Sequence, residues 1–447
     1  MKIFFNFLFI VFFTFEAFTL EVTLTEGKVK PTPIAITDFF SYDVNLQNVG
    51  KNISTIISEN LQRSGLFLPL DKRAFIQDNK SLSEQPRFED WKLIKAQHLI
   101  SGQIEKQNNK IVVSFKLYDV YQQKLLNTKF KTGSLTGSDN SWRRIAHIIS
   151  DAVFQKITGE GGYFDTRIVY VAETGPKDNR IKRLAVMDQD GSNHKFLTPS
   201  DYMVLTPRFS PTFSPGKNQD ITYMSYINPY KPRVYILNIE NGSQEIIGEF
   251  EGMYFAPRFS PDGKTLIMSY TDPDIGNSEI YILDLDTRIE KRITNNSGID
   301  VSGSFSPDGK RIVFNSDRSG RRHLYIIDIN GKDLKRISRE AGSYYTPVWS
   351  PRGDMIAFTK QEGGQFYIGV MEIDGSNERM IAKSFHVEGP TWSPNGRYLM
   401  YFKEERTSSD GSGGNSSLYS IDLTGYNERK IITPLGGSDP AWSPLMH

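Results

Sequence analysis

Residues 257–270 read Pro257-Arg258-Phe259-Ser260-Pro261-Asp262-Gly263-Lys264-Thr265-Leu266-Ile267-Met268-Ser269-Tyr270. A polar stretch from Thr271 to Ser278 follows, then Glu279-Ile280-Tyr281-Ile282-Leu283-Asp284-Leu285-Asp286 and Glu290-Lys291-Arg292-Ile293-Thr294. The first strand, carrying Phe259, ends where Pro261 fixes φ and Gly263 permits the positive φ that returns the chain as a hairpin. Three further strands are expected in succession, and four short strands joined by turns make one propeller blade.

The phrase aromatic-Ser-Pro recurs. It stands at Phe213-Ser214-Pro215, Phe259-Ser260-Pro261, Phe305-Ser306-Pro307, Trp349-Ser350-Pro351, Trp392-Ser393-Pro394 and Trp442-Ser443-Pro444, with Pro-to-Pro intervals of 46, 46, 44, 43 and 50. A period of about 40–50 residues built from short strands is the signature of a propeller. The ends of the array give the blade count. Thr166–Ala172, Arg183–Gly191 and His194–Thr198 read as second, third and fourth strands without a first, while Asp439–Pro444 reads as a first strand with only Leu445, Met446 and His447 after it. One half completes the other. Five whole units plus one assembled from both ends predict six blades closed by the C-terminal strand, which removes the exposed sheet edges.

Upstream the pattern changes. Residues 1–20 carry one lysine, Lys2, a Phe-rich apolar run from Ile3 to Phe15, and the small-x-small sequence Ala17-Phe18-Thr19. The run is shorter than the roughly 20 residues of a membrane span and reads as a secretory signal peptide, with an uncleaved anchor as the rival reading; cleavage leaves a mature chain from about Glu21 without a transmembrane segment. Cysteine is absent, so disulfides and thiolate chemistry are excluded. Lys plus Arg at 53 against Asp plus Glu at 52 gives no electrostatic case for a nucleic acid.

Residues 21–160 read as an α/β domain, and 161–447 as the propeller. Ile53, Ile56, Ile57 and Leu61 fall at helical spacing within Lys51–Ser64, with Gly65 as the stop. A second helix is expected from a cap at Asn140 or Ser141, with Trp142, Ile145, Ala146, Ile149, Ala152 and Val153 on one face, ending at Gly159. A short helix around Asp90–Ala96 precedes three expected strands, His98–Glu105, Lys110–Asp119 and Lys124–Thr132, read as an antiparallel meander with the helices packed on it. Gly159-Glu160-Gly161-Gly162 reads as a flexible hinge.

Catalytic signatures are missing. There is no G-x-S-x-G elbow, and with the chain ending at its closing strand no appended hydrolase domain is expected. The histidines His98, His147, His194, His323, His386 and His447 lack metal-ligand spacing. Asp188-x-Asp190-Gly191, Asp328-x-Asn330-Gly331 and Glu372-x-Asp374-Gly375 lack the distal bidentate Glu of a calcium loop, and read as turns between third and fourth strands. Trp349, Trp392 and Trp442 hold matching positions, as inter-blade packing requires. Ser408–Ser417 is Ser/Gly-rich and reads as a flexible loop. No enzyme activity, cofactor or metal is expected.

One feature points to a partner. The connections into the inner strands should share one rim, and several are apolar: Tyr202-Met203-Val204-Leu205, Met253-Tyr254-Phe255 and Tyr344-Tyr345. Aromatics and methionines gathered on one face suit a protein-binding surface, whereas the structural alternative tucks them into the blade tops.

The passage Ser141-Trp142-Arg143-Arg144-Ile145-Ala146-His147-Ile148-Ile149-Ser150-Asp151-Ala152-Val153-Phe154-Gln155-Lys156-Ile157-Thr158-Gly159, followed by Thr166-Arg167-Ile168-Val169-Tyr170-Val171 and the Ser-Pro-Asp-Gly repeats, resembles the TolB family over the whole chain. Pro215-Gly216 lacks the turn Asp, Arg352 replaces it in another blade, and Gly303 stands where Pro precedes the aromatic elsewhere. The resemblance implies a monomeric, non-enzymatic periplasmic component of the Tol–Pal system, serving outer-membrane integrity and envelope constriction during cell division. It implies binding of the lipoprotein Pal through Met253, Ala256 and Ile299-Asp300-Val301, beside Tyr202, Met203, Tyr254, Phe255, Tyr344, Tyr345 and His386. It also implies contact with TolA through Glu21, Val22, Thr23, Leu24 and Thr25, with other envelope proteins as further partners. The competing class is a propeller holding a small ligand or metal in its central channel, or a propeller-type hydrolase.

Overall fold

The computed structural model describes residues 30–447 except 108–109, 127–129, 132–140, 177–178, 201, 213–218, 229–231, 248–252, 275 and 407–413. The expected signal peptide, the Glu21–Thr25 segment, the phrase at Phe213 and most of the Ser408–Ser417 loop lie outside the described residues.

Six four-stranded antiparallel sheets succeed one another around an axis. Their inner strands are Val204–Phe209, Met253–Phe259, Asp300–Phe305, Ser343–Trp349, His386–Trp392 and Gly436–Trp442, defining blades 1 to 6 in that order. In blade 6 the C-terminal strand Gly436–Trp442 pairs with Arg167–Thr174, which pairs with Ile181–Asp188, which pairs with Lys195–Phe196. The ring is therefore closed as expected. Blade 1 corrects the repeat phasing: its inner strand ends at Phe209, so the in-phase phrase is Phe209-Ser210-Pro211, four residues before the one at Phe213.

Each inner strand breaks register with its neighbour midway, at Leu205/Arg208, Phe255/Arg258, Val301/Ser304, Tyr345/Val348, Glu388/Thr391 and Ser438/Ala441. The residue at each break, Thr206, Ala256, Ser302, Thr346, Gly389 or Asp439, has φ between 45° and 70°. Five of these are not glycine, an uncommon backbone state for such residues. Proline follows in five blades and lacks the N–H the break would orphan. Blade 3 has Gly303 instead, because a Cβ there would meet Ile267 Cδ1 at 2.5 Å.

Cohesion is between blades. Val169, Val171 and Leu184 of blade 6 pack with Val204, Ile221 and Tyr223 of blade 1, while Val313 and Leu324 of blade 3 pack with Ile356 and Phe358 of blade 4. Trp392 Nε1 donates to the Val348 carbonyl of the preceding blade at 3.1 Å, the packing role expected of the tryptophans.

The N-terminal sheet differs from a pure meander. His98–Gln107 and Lys110–Asp119 pair antiparallel, and Lys124–Leu125 and Phe130–Lys131 both pair with the latter. On the other side Thr32–Ile36 lies parallel to His98–Gln107, and Phe67–Pro69 lies parallel to Thr32–Ile36. The helix Val44–Arg63 makes the crossover, capped by Asp43 accepting from Asn45 N at 2.9 Å. Short strands at Thr32 and Phe67 carry no alternation long enough to read.

The helix Ser141–Thr158 joins this sheet to the propeller through one continuous core, in which Phe154, Tyr163 and Phe164 meet Tyr398 and Trp442. The Gly159–Gly162 segment is correspondingly anchored rather than free. Glu160 pairs with Arg397 at 2.9 Å, Asn395 Nδ2 donates to the Gly161 carbonyl at 2.9 Å, and a Cβ on Gly162 would meet Asp151 Oδ1 at 2.2 Å.

Candidate functional site

The apolar rim residues sit at the start of the inner strands rather than on free loops. Counting back from the phrase aromatic, the residue at minus five is buried in every blade: Val204, Tyr254, Asp300, Tyr344, Val387 and Gly437. Its neighbours at minus six and minus four face outward or are half-buried, because side chains alternate along a strand. At minus six stand Met203, Met253, Ile299, Ser343, His386 and Gly436; at minus four stand Leu205, Phe255, Val301, Tyr345, Glu388 and the buried Ser438. Met203 and Met253 are the most open of the named apolar residues, at 38% and 41% exposure.

The strand register therefore divides the residues singled out in the sequence. Tyr254 is buried and donates to Glu290 Oε2 at 3.1 Å. Asp300 is fully buried and bound by the Arg318 guanidinium. Tyr344 is fully buried against Glu378. These three support the rim from below. Tyr202, Met203, Met253, Phe255, Ala256, Ile299, Val301, Tyr345 and His386 remain at least partly accessible. Phe255 and Tyr345 take equivalent places in blades 2 and 4, where Arg322 lies 5.2 Å from the Tyr345 ring centroid.

His386 sits between two carboxylates. Its ring stands 3.4 Å from Glu388 and 2.9 Å from Glu404, and the Glu388 contact above all raises its pKa. Glu388 was missed in the sequence, although it lies four residues before Trp392 just as Phe255 lies four before Phe259.

Inside the ring, a cavity of about 370 Å³ opens at the ends of the inner strands and is lined by all six blades. Its first residues past the break are Arg208, Arg258, Ser304, Val348, Thr391 and Ala441. Elsewhere, His147, Asp188 and Asp190 offer ligand atoms within 4.8 Å of one another. A metal ion does not fit there, because the Arg143 guanidinium already binds Asp190, and Arg63 lies 3.9 Å from the same oxygen. The group is an ion-pair network at the junction of the N-terminal helices with blade 6. The Asp-x-Asp-Gly sequence does form the expected turn, with Gly191 at φ 90°.

Among the described residues no helix is long and apolar enough to cross a membrane. Residues 154–446 match the model of the TolB beta propeller domain, and residues 20–126 match that of the TolB amino-terminal domain. The chain is 55% identical over 429 residues to the Tol-Pal system protein TolB of Paramagnetospirillum magneticum, covering 96% of this chain and 93% of that one. It is 52% identical over 453 residues to the Tol-Pal system protein TolB of Pelagibacter ubique, covering 99% of each. The crystal structure of TolB from Acinetobacter baumannii superimposes with a TM-score of 0.79 at 28% identity, covering 93% of this chain and 97% of that one.

Proposed function

The chain belongs to the TolB family as a non-enzymatic component of the Tol–Pal system, and from that premise we propose that its propeller rim binds the lipoprotein Pal in the periplasm. The accessible residues at minus six and minus four, with Met203, Met253, Phe255, Ile299, Val301, Tyr345 and His386 as contacts, form the docking surface. Tyr202 and Ala256 flank it; Tyr254, Asp300 and Tyr344 hold its shape from beneath. In the same reading residues 1–20 direct export, 21–160 form the N-terminal domain and 161–447 the propeller. Residues Glu21 to Thr25 of the mature chain engage TolA.

The observation that carries the proposal is the recurrence of exposed or half-exposed apolar side chains at the same two strand positions in successive blades. Water alone gives no reason for methionine and aromatic residues to repeat there, whereas a protein interface favours them. A photo-crosslinking side chain at Phe255 or Tyr345 tests it. In envelope extract the expected adduct is Pal, identified by mass spectrometry, with none formed from the exposed Ile289, which lies in the turn between the third strand Ser278–Asp284 and the fourth strand Glu290–Arg292 of blade 2, at the opposite end from the rim. Crosslinks to other proteins only, or equal yield from Ile289, would overturn the assignment.

A further inference from the structure

Arg208 and Arg258 stand at the same level of neighbouring inner strands, each the first paired residue beyond the register break, and both line the axial cavity. Among the described residues the Arg258 guanidinium has neither a hydrogen bond nor an ion pair, and the Arg208 guanidinium donates only to the carbonyl of its own neighbour Pro207, at 2.6 Å. Several other arginines of the described residues have a carboxylate of their own: Arg318 has Asp300, Arg397 has Asp422 and Arg143 has Asp190. The one acid that acts on both is Asp439 of blade 6, which reaches ion-pair distance of neither.

Two guanidiniums are thus held at one level of a channel walled by aromatic and proline side chains. Arginine does not shed its proton in proteins, so the mutual repulsion persists. Burial, and then Arg208 itself, act against the charge on Arg258. A cation would worsen this balance. A group presenting two or more oxygens and negative charge would satisfy both donor forks.

We propose that this end of the channel is an oxyanion site in which Arg208 and Arg258 together take a phosphate-type or carboxylate group. The cavity of about 370 Å³ admits either a free ion or an acidic side chain entering from solvent. The site is separate from the Pal rim, which lies at the opposite ends of the same strands.

Calorimetric titration of the full mature chain with sodium phosphate and with sodium acetate, at constant ionic strength in chloride, tests the proposal. The expected result is saturable one-to-one binding of phosphate, weakened about tenfold or more by Arg258→Ala and by Arg208→Ala, as for loss of a charge-assisted hydrogen bond. Acetate binding in addition identifies a carboxylate as an occupant; phosphate binding alone identifies a tetrahedral anion. The exposed Arg73→Ala should change nothing. Phosphate should raise the melting temperature of the parent chain but not of the Arg258 variant. Arg258→Gln keeps the bulk of the side chain where the alanine variant fails to fold. Absence of saturable binding to the parent chain, or undiminished binding by Arg258→Gln, would overturn the site.

Discussion

The hydroxyl of Tyr344 lies 2.9 and 2.8 Å from the two carboxylate oxygens of Glu378, and the Lys360 ammonium closes the group 2.9 Å from the same carboxylate. The ring is wholly buried, and burial drives its ionisation to higher pH, so it donates at any working pH. One residue along, Tyr345 turns outward, because consecutive strand residues face opposite sides.

Tyr344→Phe should therefore lower stability by about 1–2 kcal/mol, since Glu378 keeps Lys360 but loses one donor. Tyr344→Ala should cost about 3–5 kcal/mol through the cavity it leaves. Urea denaturation read by tryptophan fluorescence measures both. A Tyr344→Phe chain as stable as the parent would show that the hydroxyl contributes nothing.

The outward neighbours should behave oppositely. Met253→Ala, Phe255→Asp and Tyr345→Ala are expected to leave stability within about 0.5 kcal/mol of the parent. Each that serves as an anchor should weaken Pal binding by about 2 kcal/mol. Calorimetry against thermal melting separates the two effects for each variant. Unfolding without loss of affinity would return these residues to the core.

This division was within reach of the sequence, and a phasing error hid it. Phe209-Ser210-Pro211 and Phe213-Ser214-Pro215 are adjacent copies of one phrase, and nothing local says which one ends the strand. Choosing Phe209 aligns Leu205 with Phe255, Val301, Tyr345 and Glu388, and aligns Val204 with Tyr254 and Tyr344. The six blades and their closure were legible because a period near 45 residues survives such a slip. The parallel strands Thr32–Ile36 and Phe67–Pro69 were not, being five and three residues long. The paired arginines of the channel were hidden by the same slip: with the phrase placed at Phe213 they fall out of step, whereas the phasing on Phe209 puts Arg208 and Arg258 at one position of two Pro-Arg-Phe-Ser-Pro sequences, 50 residues apart in consecutive blades.

Removing residues 439–447 should be severely destabilising. The deletion strips blade 6 of most of its inner strand, exposes the edge of Arg167–Thr174, and removes Trp442, whose indole donates to Thr166 Oγ1 at 2.8 Å. It also takes away the Met446 carbonyl that accepts from Arg144 of the helix Ser141–Thr158. Loss of a cooperative melt, or a midpoint lowered by many degrees, is expected by differential scanning calorimetry. A truncated chain melting at the parent temperature would mean that the strand closes nothing.

The junction network should leave its mark on the pH dependence of stability. His147 is buried, its Nδ1 lies 2.9 Å from Asn60 Nδ2, and burial above all lowers its pKa to about 4. The unfolded chain takes up that proton near pH 6.5 and the folded chain only near pH 4. The stability linked to His147 is therefore fully present above pH 6.5 and is lost as pH falls from there to about 4, by up to about 3 kcal/mol. Asp151 and Asp188, raised by burial to about 7 and about 6, act in the other direction, favouring the folded state as the pH falls through the same range. The parent curve alone is thus a sum of opposed slopes, and the difference between parent and His147→Gln isolates the imidazole. Urea unfolding at pH 7.5, 6, 5 and 4.5 should show the variant gaining on the parent steadily below pH 6.5. Parallel curves would mean that His147 is protonated in the folded chain, held there by Asp190 at 3.8 Å against the cost of burial.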